Sequence, residues 1–139
     1  LIDRRADRTA QTPSVEPVLD RDRVQALQEA PERVTVDPRL RAYLVELGRE
    51  TRADDRAEIG VSPRGVQRLF EAVRALATIR GREYVIPDDI KRLAGPVFAH
   101  RIVVTGDAAV QGADGAAVVA DVLDRVAVPA VEGTPQVER

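Results

Sequence analysis

Cysteine, methionine and tryptophan are missing from this chain, and its 139 residues hold only two tyrosines and two phenylalanines. Without cysteine there is no disulfide, no thiolate nucleophile and no thiol redox chemistry. With aromatics at 3% of the chain, any core has to be assembled from Val, Leu, Ile and Ala. Lysine is nearly missing as well: of 21 basic residues, Lys91 is the sole lysine and the rest are arginines. The single histidine is His100. With no cysteine to join it, neither a metal cluster nor a nucleophile–base pair can be built around it, and it reads as a packed or exposed helix-end residue. No apolar run reaches the roughly 18 residues of a membrane-spanning helix, and no signal-peptide pattern precedes the first helical segment. No membrane span is therefore expected, and the cytoplasm is the expected compartment.

What is present is a mixed-charge chain with enough apolar content to fold, 44% hydrophobic and 32% charged. A chain of this length supports one domain with tails. Its 23 acidic and 21 basic residues leave a formal net charge of −2. Such a balance lacks the basic footprint of a nucleic-acid binder, so no nucleic-acid partner is expected. Because the chain begins with Leu1 rather than Met, it is expected to be part of a longer polypeptide.

Residues 1–17 are polar and Arg-rich, broken by Pro13 and Pro17, and read as a linker or tail; residues 130–139 read as a C-terminal tail. Between them, 18–129 should form the domain. Asp20 is a good N-cap, and Val24 and Leu27 mark a short helix stopped before Pro31. Asp37-Pro38 starts a second helix to about Arg52, with Leu40, Tyr43, Leu44 and Leu47 on one face. Ala53–Val61 reads as a solvated, charged loop carrying Asp54, Asp55 and Glu58. The third helix, Pro63 to about Arg80, repeats Val66, Leu69, Phe70, Val73, Leu76 and Ala77, while Arg64, Arg68 and Glu71 form a polar row. Pro87-Asp88-Asp89 opens a fourth helix in which Gly95-Pro96 predicts a kink or early end. After a Gly-rich loop, Asp114 caps a last helix bearing Val118, Val119, Val122, Leu123 and Val126. Val34–Val36 and Tyr84–Ile86 could pair as short strands, and Ile102–Val104 is a third extended run. The fold class expected is mainly α: a bundle of four or five helices with at most one or two short strands.

One run breaks a local rule. In Gly60-Val61-Ser62-Pro63-Arg64, Ser62 suits the N-cap and Pro63 the first helical position. Arg64 then puts a cation in the first turn, where the helix dipole disfavours it by roughly 0.3–1 kcal/mol when exposed. A helix start with free N–H groups and an arginine suits a phosphate arriving from elsewhere. The bland alternative is one more surface arginine in an arginine-rich chain. Other candidates carry less. Asp54, Asp55 and Glu58 lack the glycine and spacing of a calcium loop, and the first-turn position of Asp88 and Asp89 already accounts for them, so no metal site is expected. No Gly-rich run ends in Gly-Lys-Ser/Thr, so the chain cannot cradle a triphosphate by itself.

The run Gly60-Val61-Ser62-Pro63-Arg64 resembles the sensor-2 motif of the C-terminal lid of AAA+ ATPases of the MoxR group. Arg80–Ile90 and His100-Arg101 are similar to that family's downstream signature at matching separation. Upstream, Glu16–Leu19, Leu27-Gln28, Val34–Asp37 and Thr51-Arg52 match as well, so the resemblance covers roughly Leu1 to Pro129. One departure is Ile86, where the family usually has a hydroxyl residue to cap the next helix. The resemblance implies an AAA+ lid-like fold and a parent ATPase whose missing core holds Walker A, Walker B, sensor 1 and the arginine finger. ATP and magnesium would be bound in that parent, with no cofactor on this chain alone and no ATPase activity of its own. Arg64 would reach the β/γ-phosphates; Tyr43 could lie near the adenine side, with packing an equal explanation. The implied partners are the chain's own AAA+ core, neighbouring subunits of a hexameric ring, and clients with a von Willebrand factor A domain, remodelled in a chaperone-like way. A second reading is a stand-alone helical DNA- or protein-binding module, since the second and third helices loosely resemble a helix-turn-helix pair. The roughly ten-residue loop between them is long for that motif.

Overall fold

The structure, a computed structural model, describes residues 15–131; residues 1–14 and 132–139, most of the expected linker and tail, lie outside it. Six α-helices are present among the described residues, each opened by a residue its sequence suits. Helix α1, Arg21–Glu29, is capped by Asp20, which accepts from the Arg23 N–H at 2.8 Å. A 3₁₀ turn at Ala30–Arg33 then carries Pro31. Helix α2, Pro38–Ala53, starts from Asp37 and buries Leu40, Tyr43, Leu44, Leu47 and Thr51. Helix α3, Pro63–Ile79, is the centre of the bundle and packs on both α2 and α4, Pro87–Phe98. A second 3₁₀ turn, Ala99–Arg101, leads to α5, Gly106–Val110, and α6, Gly115–Arg125, which packs on α2 and α4.

Aliphatic side chains make almost all of the core, as the shortage of aromatics requires. Leu40, Leu44, Leu47, Leu69, Val73, Ile90, Val118, Val119 and Val122 close around Phe98, which is 1% exposed. Among the described residues no helix is long and apolar enough to cross a membrane.

Five details differ from expectation, each for a physical reason. Ala53–Val61 is not merely a loop: Ala57–Ile59 forms strand β1, antiparallel to β2 at Val103–Val104. Its pairing partner lies far along the chain, beyond what local composition reveals. The α2–α3 connection therefore contains a strand, unlike the short turn of a helix-turn-helix motif. Conversely, Val34–Val36 and Tyr84–Ile86 make only a single parallel bridge, Thr35 to Tyr84. Each is hemmed in by helical turns, so one exchange of hydrogen bonds fits, Thr35 N–H to Glu83 O and Val85 N–H to Thr35 O. Helix α4 runs through Gly95-Pro96 to Phe98; Pro96 is exposed and within the last turn, where solvent can satisfy the carbonyl it leaves unpaired. Helix α5, capped by Thr105, was expected as loop because it buries only Ala108 and shows no stripe. Finally, Ile86 gives α4 no side-chain cap, but Asp89 accepts from the Ile86 N–H at 3.1 Å, half of a capping box. Asp89 also pairs with Arg82 at 2.7 Å and is 5% exposed. That contact holds the Arg82 guanidinium above its ordinary pKa.

Candidate functional site

The start of α3 is aimed by the end of α2. Thr51 is buried there; its hydroxyl donates to Gly48 O and accepts from the Val61 N–H, both at 2.9 Å. Arg52 Nη1 donates to Val61 O at 2.5 Å. The Val61 peptide is thus held from both sides, and its side chain is fully buried. Gly60 lets this happen, since a Cβ at that position would come within 2.6 Å of the Arg52 backbone and of Thr51 O.

Ser62 then caps α3, its Oγ accepting from the Gly65 N–H at 3.2 Å. Pro63 has no N–H to offer, which leaves the Arg64 N–H as a first-turn donor without a partner among the described residues. Arg64 itself is exposed, and its guanidinium makes no hydrogen bond or ion pair among the described residues. Gly65 is buried because two groups close on it: a Cβ would meet Val61 Cγ1 at 2.6 Å and Arg101 Cδ at 3.2 Å.

The result is an open groove of about 320 Å³ lined by Ile59, Gly60, Ser62, Arg64, Gly65, Arg68 and Arg101. Three of the seven lining residues are arginines and none is acidic. Arg68 is partly satisfied by Glu71 at 2.6 Å. Arg101 donates through Nη1 to Val97 O and touches the His100 ring. His100 is exposed and lies against Pro96 O at 3.1 Å, a helix-end placement. A groove with cations, a free N–H and no carboxylate fits an anion such as a phosphate. It offers nothing to hold a magnesium ion, and no group of three or more His, Cys, Asp or Glu among the described residues could hold a metal.

Of the two residues singled out for nucleotide contact, the structure brings only Arg64 to this groove. Tyr43 is in the core, 4% exposed, with a buried hydroxyl that has no partner among the described residues. Burial alone pushes its phenol above the ordinary value. The charged loop also differs from expectation. Asp54 is not solvated but 7% exposed, gripped by Arg56 through both carboxylate oxygens at 2.9 Å and approached by Arg125 at 3.4 Å. The Arg56 contact holds Asp54 down at about 2. Arg56 reaches on to Asp121 of α6 at 2.6 Å, and these two carboxylates raise its own pKa.

Sequence reasoning gave no role to Thr51, Gly65 or Arg101. Thr51 carried a signal, a hydroxyl residue continuing the α2 stripe four positions after Leu47. Arg101 stood out only as part of the His100-Arg101 match; its approach to Gly65 exists only after α4 has folded back. Arg74, on which sequence reasoning was silent, is 9% exposed; it pairs with Glu32 at 2.9 Å and stacks on Phe70 at 5.2 Å, with Nε unpartnered among the described residues.

With this geometry in view, the comparisons with known proteins are consistent with one another. Residues 49–130 match the AAA lid domain family. Over 116 residues, 84% of this chain and 36% of the relative, the sequence is 35% identical to the uncharacterized protein YeaC of Bacillus subtilis (strain 168). It is 42% identical over 77 residues to chaperone MoxR1 of Mycobacterium tuberculosis, covering 55% of this chain and 20% of that one. Over 43 residues it is 56% identical to protein MoxR of Paracoccus denitrificans, 31% of this chain and 13% of the relative. A crystal structure of a predicted ATPase from Cytophaga hutchinsonii superposes with a TM-score of 0.79 at 25% identity, covering 93% of this chain and 42% of that one. The chain thus spans about a third or less of the length of these curated relatives.

Proposed function

The chain belongs to the AAA lid domain family, within the MoxR group of AAA+ ATPases, and from that premise we propose that Arg64 is a sensor-2 arginine that meets the β/γ-phosphates of ATP. The observation that carries this reading is the pairing pattern. Arg64 has no partner among the described residues and lies in the first turn of α3, beside a groove with two more arginines and no carboxylate in its lining. A cation there is unfavourable until an anion arrives, so its charge is available to a ligand and not spent on the fold.

In this reading the longer protein's core supplies the phosphate cradle and the magnesium ion, whose role is to neutralise charge on the transferring phosphoryl group. The residues of this chain do the rest by placement. Ser62 and Gly60 set the angle of α3, the Arg64 N–H and guanidinium face the phosphate, and lid closure brings them into range. Tyr43, being buried, is assigned to packing. The lid also docks on its own core and on neighbouring subunits of a ring, proposed to be a hexamer in the cytoplasm. Closure then couples hydrolysis to chaperone-like remodelling of clients, with proteins bearing a von Willebrand factor A domain as the proposed class.

Arg64→Ala in the full-length ATPase tests this. Losing one preorganised electrostatic donor should lower ATP turnover about 10–1000-fold with the fold intact. Unchanged turnover would reduce Arg64 to a surface residue.

A further inference from the structure

Arg101 shares the groove with Arg64 but arrives by a different route, and its surroundings differ in kind. It ends the 3₁₀ turn Ala99–Arg101 that follows α4, while Arg64 belongs to α3. Its stem lies across Gly65, so closely that a Cβ on that glycine would sit 3.2 Å from Cδ and 3.8 Å from Nε. Nη1 is engaged by Val97 O and the His100 ring. Nε and Nη2 have no partner among the described residues. An arginine half-buried against a helix start, anchored through one nitrogen and leaving two donors open beside a carboxylate-free groove, is a preset anion contact. The start of α3 opposes this placement while the Val97 carbonyl at the end of α4 favours it, and no acidic side chain lines the groove to occupy the two open donors.

We propose that Arg101 is a second phosphate-binding arginine of the nucleotide groove: an anchored contact, admitted by Gly65, that works beside the exposed Arg64. The inference rests on the reading of this groove as the lid's phosphate site. Anchored Arg101 would set where the phosphate tail lies, and Arg64, exposed to solvent, would close on it. The two arginines then recognise phosphate and not base or sugar, so the contribution of Arg101 should grow with the number of phosphates.

The test uses the full-length ATPase and the dissociation constants of fluorescent N-methylanthraniloyl ATP, ADP and AMP, measured by titration without turnover, together with melting temperature. Arg101→Gln keeps the stem over Gly65 and a neutral donor at the level of Nε, but removes the charge and the reach to Val97 O. It should weaken the triphosphate about 10–100-fold, the loss expected for a charge-assisted hydrogen bond, while AMP changes little. Arg101→Lys should recover part of the triphosphate affinity. Equal weakening of all three nucleotides would mark a structural brace and overturn the proposal, as would unchanged ATP binding. Arg64→Ala in parallel separates the two levels. If Arg64→Ala is impaired and Arg101→Gln is not, Arg101 is excluded and the groove reading stands; if neither changes ATP affinity, the groove reading itself fails.

Discussion

Two arginine clusters lie at the two ends of the same short segment, 54–64, and they are treated differently by the fold. On one side Arg56 grips Asp54 through both oxygens, continues to Asp121, and ties the β1 region to α6. On the other, a few residues further on, Arg64 enters the first turn of α3 with no partner among the described residues. Composition would have allowed the reverse, since acidic residues slightly outnumber basic ones. The difference teaches how to sort charges in an arginine-rich chain: a guanidinium whose donors are satisfied internally is holding structure, and one left open where the local field opposes it is the one to test for a ligand.

The comparison can be broken most forcefully by inverting the open charge. Arg64→Glu puts an anion where the helix dipole welcomes it, so the domain should unfold at slightly higher urea, by about 0.3–1 kcal/mol. In the full-length protein, if Arg64 meets phosphates as proposed, the same carboxylate would oppose them and ATP turnover should fall about 1000-fold or more. Stability and activity moving in opposite directions is the expected signature.

On the structural side, Arg56→Ala should destabilise by about 2–3 kcal/mol in urea unfolding. It leaves a nearly buried carboxylate with only the main-chain N–H of residue 56 at 3.1 Å and Arg125 at 3.4 Å. A smaller effect is set by pH. Asp54 is held near 2 when folded, against an ordinary value of 3.8. Its contribution is therefore fully present above the unfolded value and is lost as the pH falls from about 4 toward 2. That contribution should be about 1–2 kcal/mol, allowing for the partial exposure of Arg56. Asp37 is also held below its ordinary value by the Arg39 side chain, so the parent minus Asp54→Asn difference in acid unfolding isolates Asp54. If both unfold with the same pH dependence between 4 and 2, the Asp54 contact is not a stabilising one. The smallest effect belongs to Arg68→Ala, which removes an exposed pair with Glu71 and should shift stability by less than about 0.5 kcal/mol in the same unfolding assay.

Helices were legible wherever a stripe and a cap coincided. Pro63–Ile79 combines Ser62-Pro63 with Leu69, Val73 and Ala77, all buried, so local sequence and packing agree. The Gly60–Arg64 run was legible for the opposite reason, as a departure from the helix charge rule. Strand β1 was not, because Ala57–Ile59 is three residues long and its hydrogen bonds go to Val103–Val104. Asp54 looked like a solvated loop carboxylate since nothing local announces that Arg56 will be drawn across it to Asp121 or that Arg125 will come to it. Arg74 and Arg101 were hidden likewise: stems that lie against Phe70 and Gly65 are products of tertiary packing, which periodicity does not encode.

The most direct measurement is the ATP turnover of the full-length protein carrying Arg64→Ala beside the same protein carrying Arg68→Ala, both verified as folded. Arg68 lies one turn further along the same polar row and already has Glu71 as a partner. A loss of about 10–1000-fold for Arg64→Ala, with Arg68→Ala close to the parent, is what an open sensor arginine predicts. Equal losses in the two variants, or none in Arg64→Ala, would contradict it.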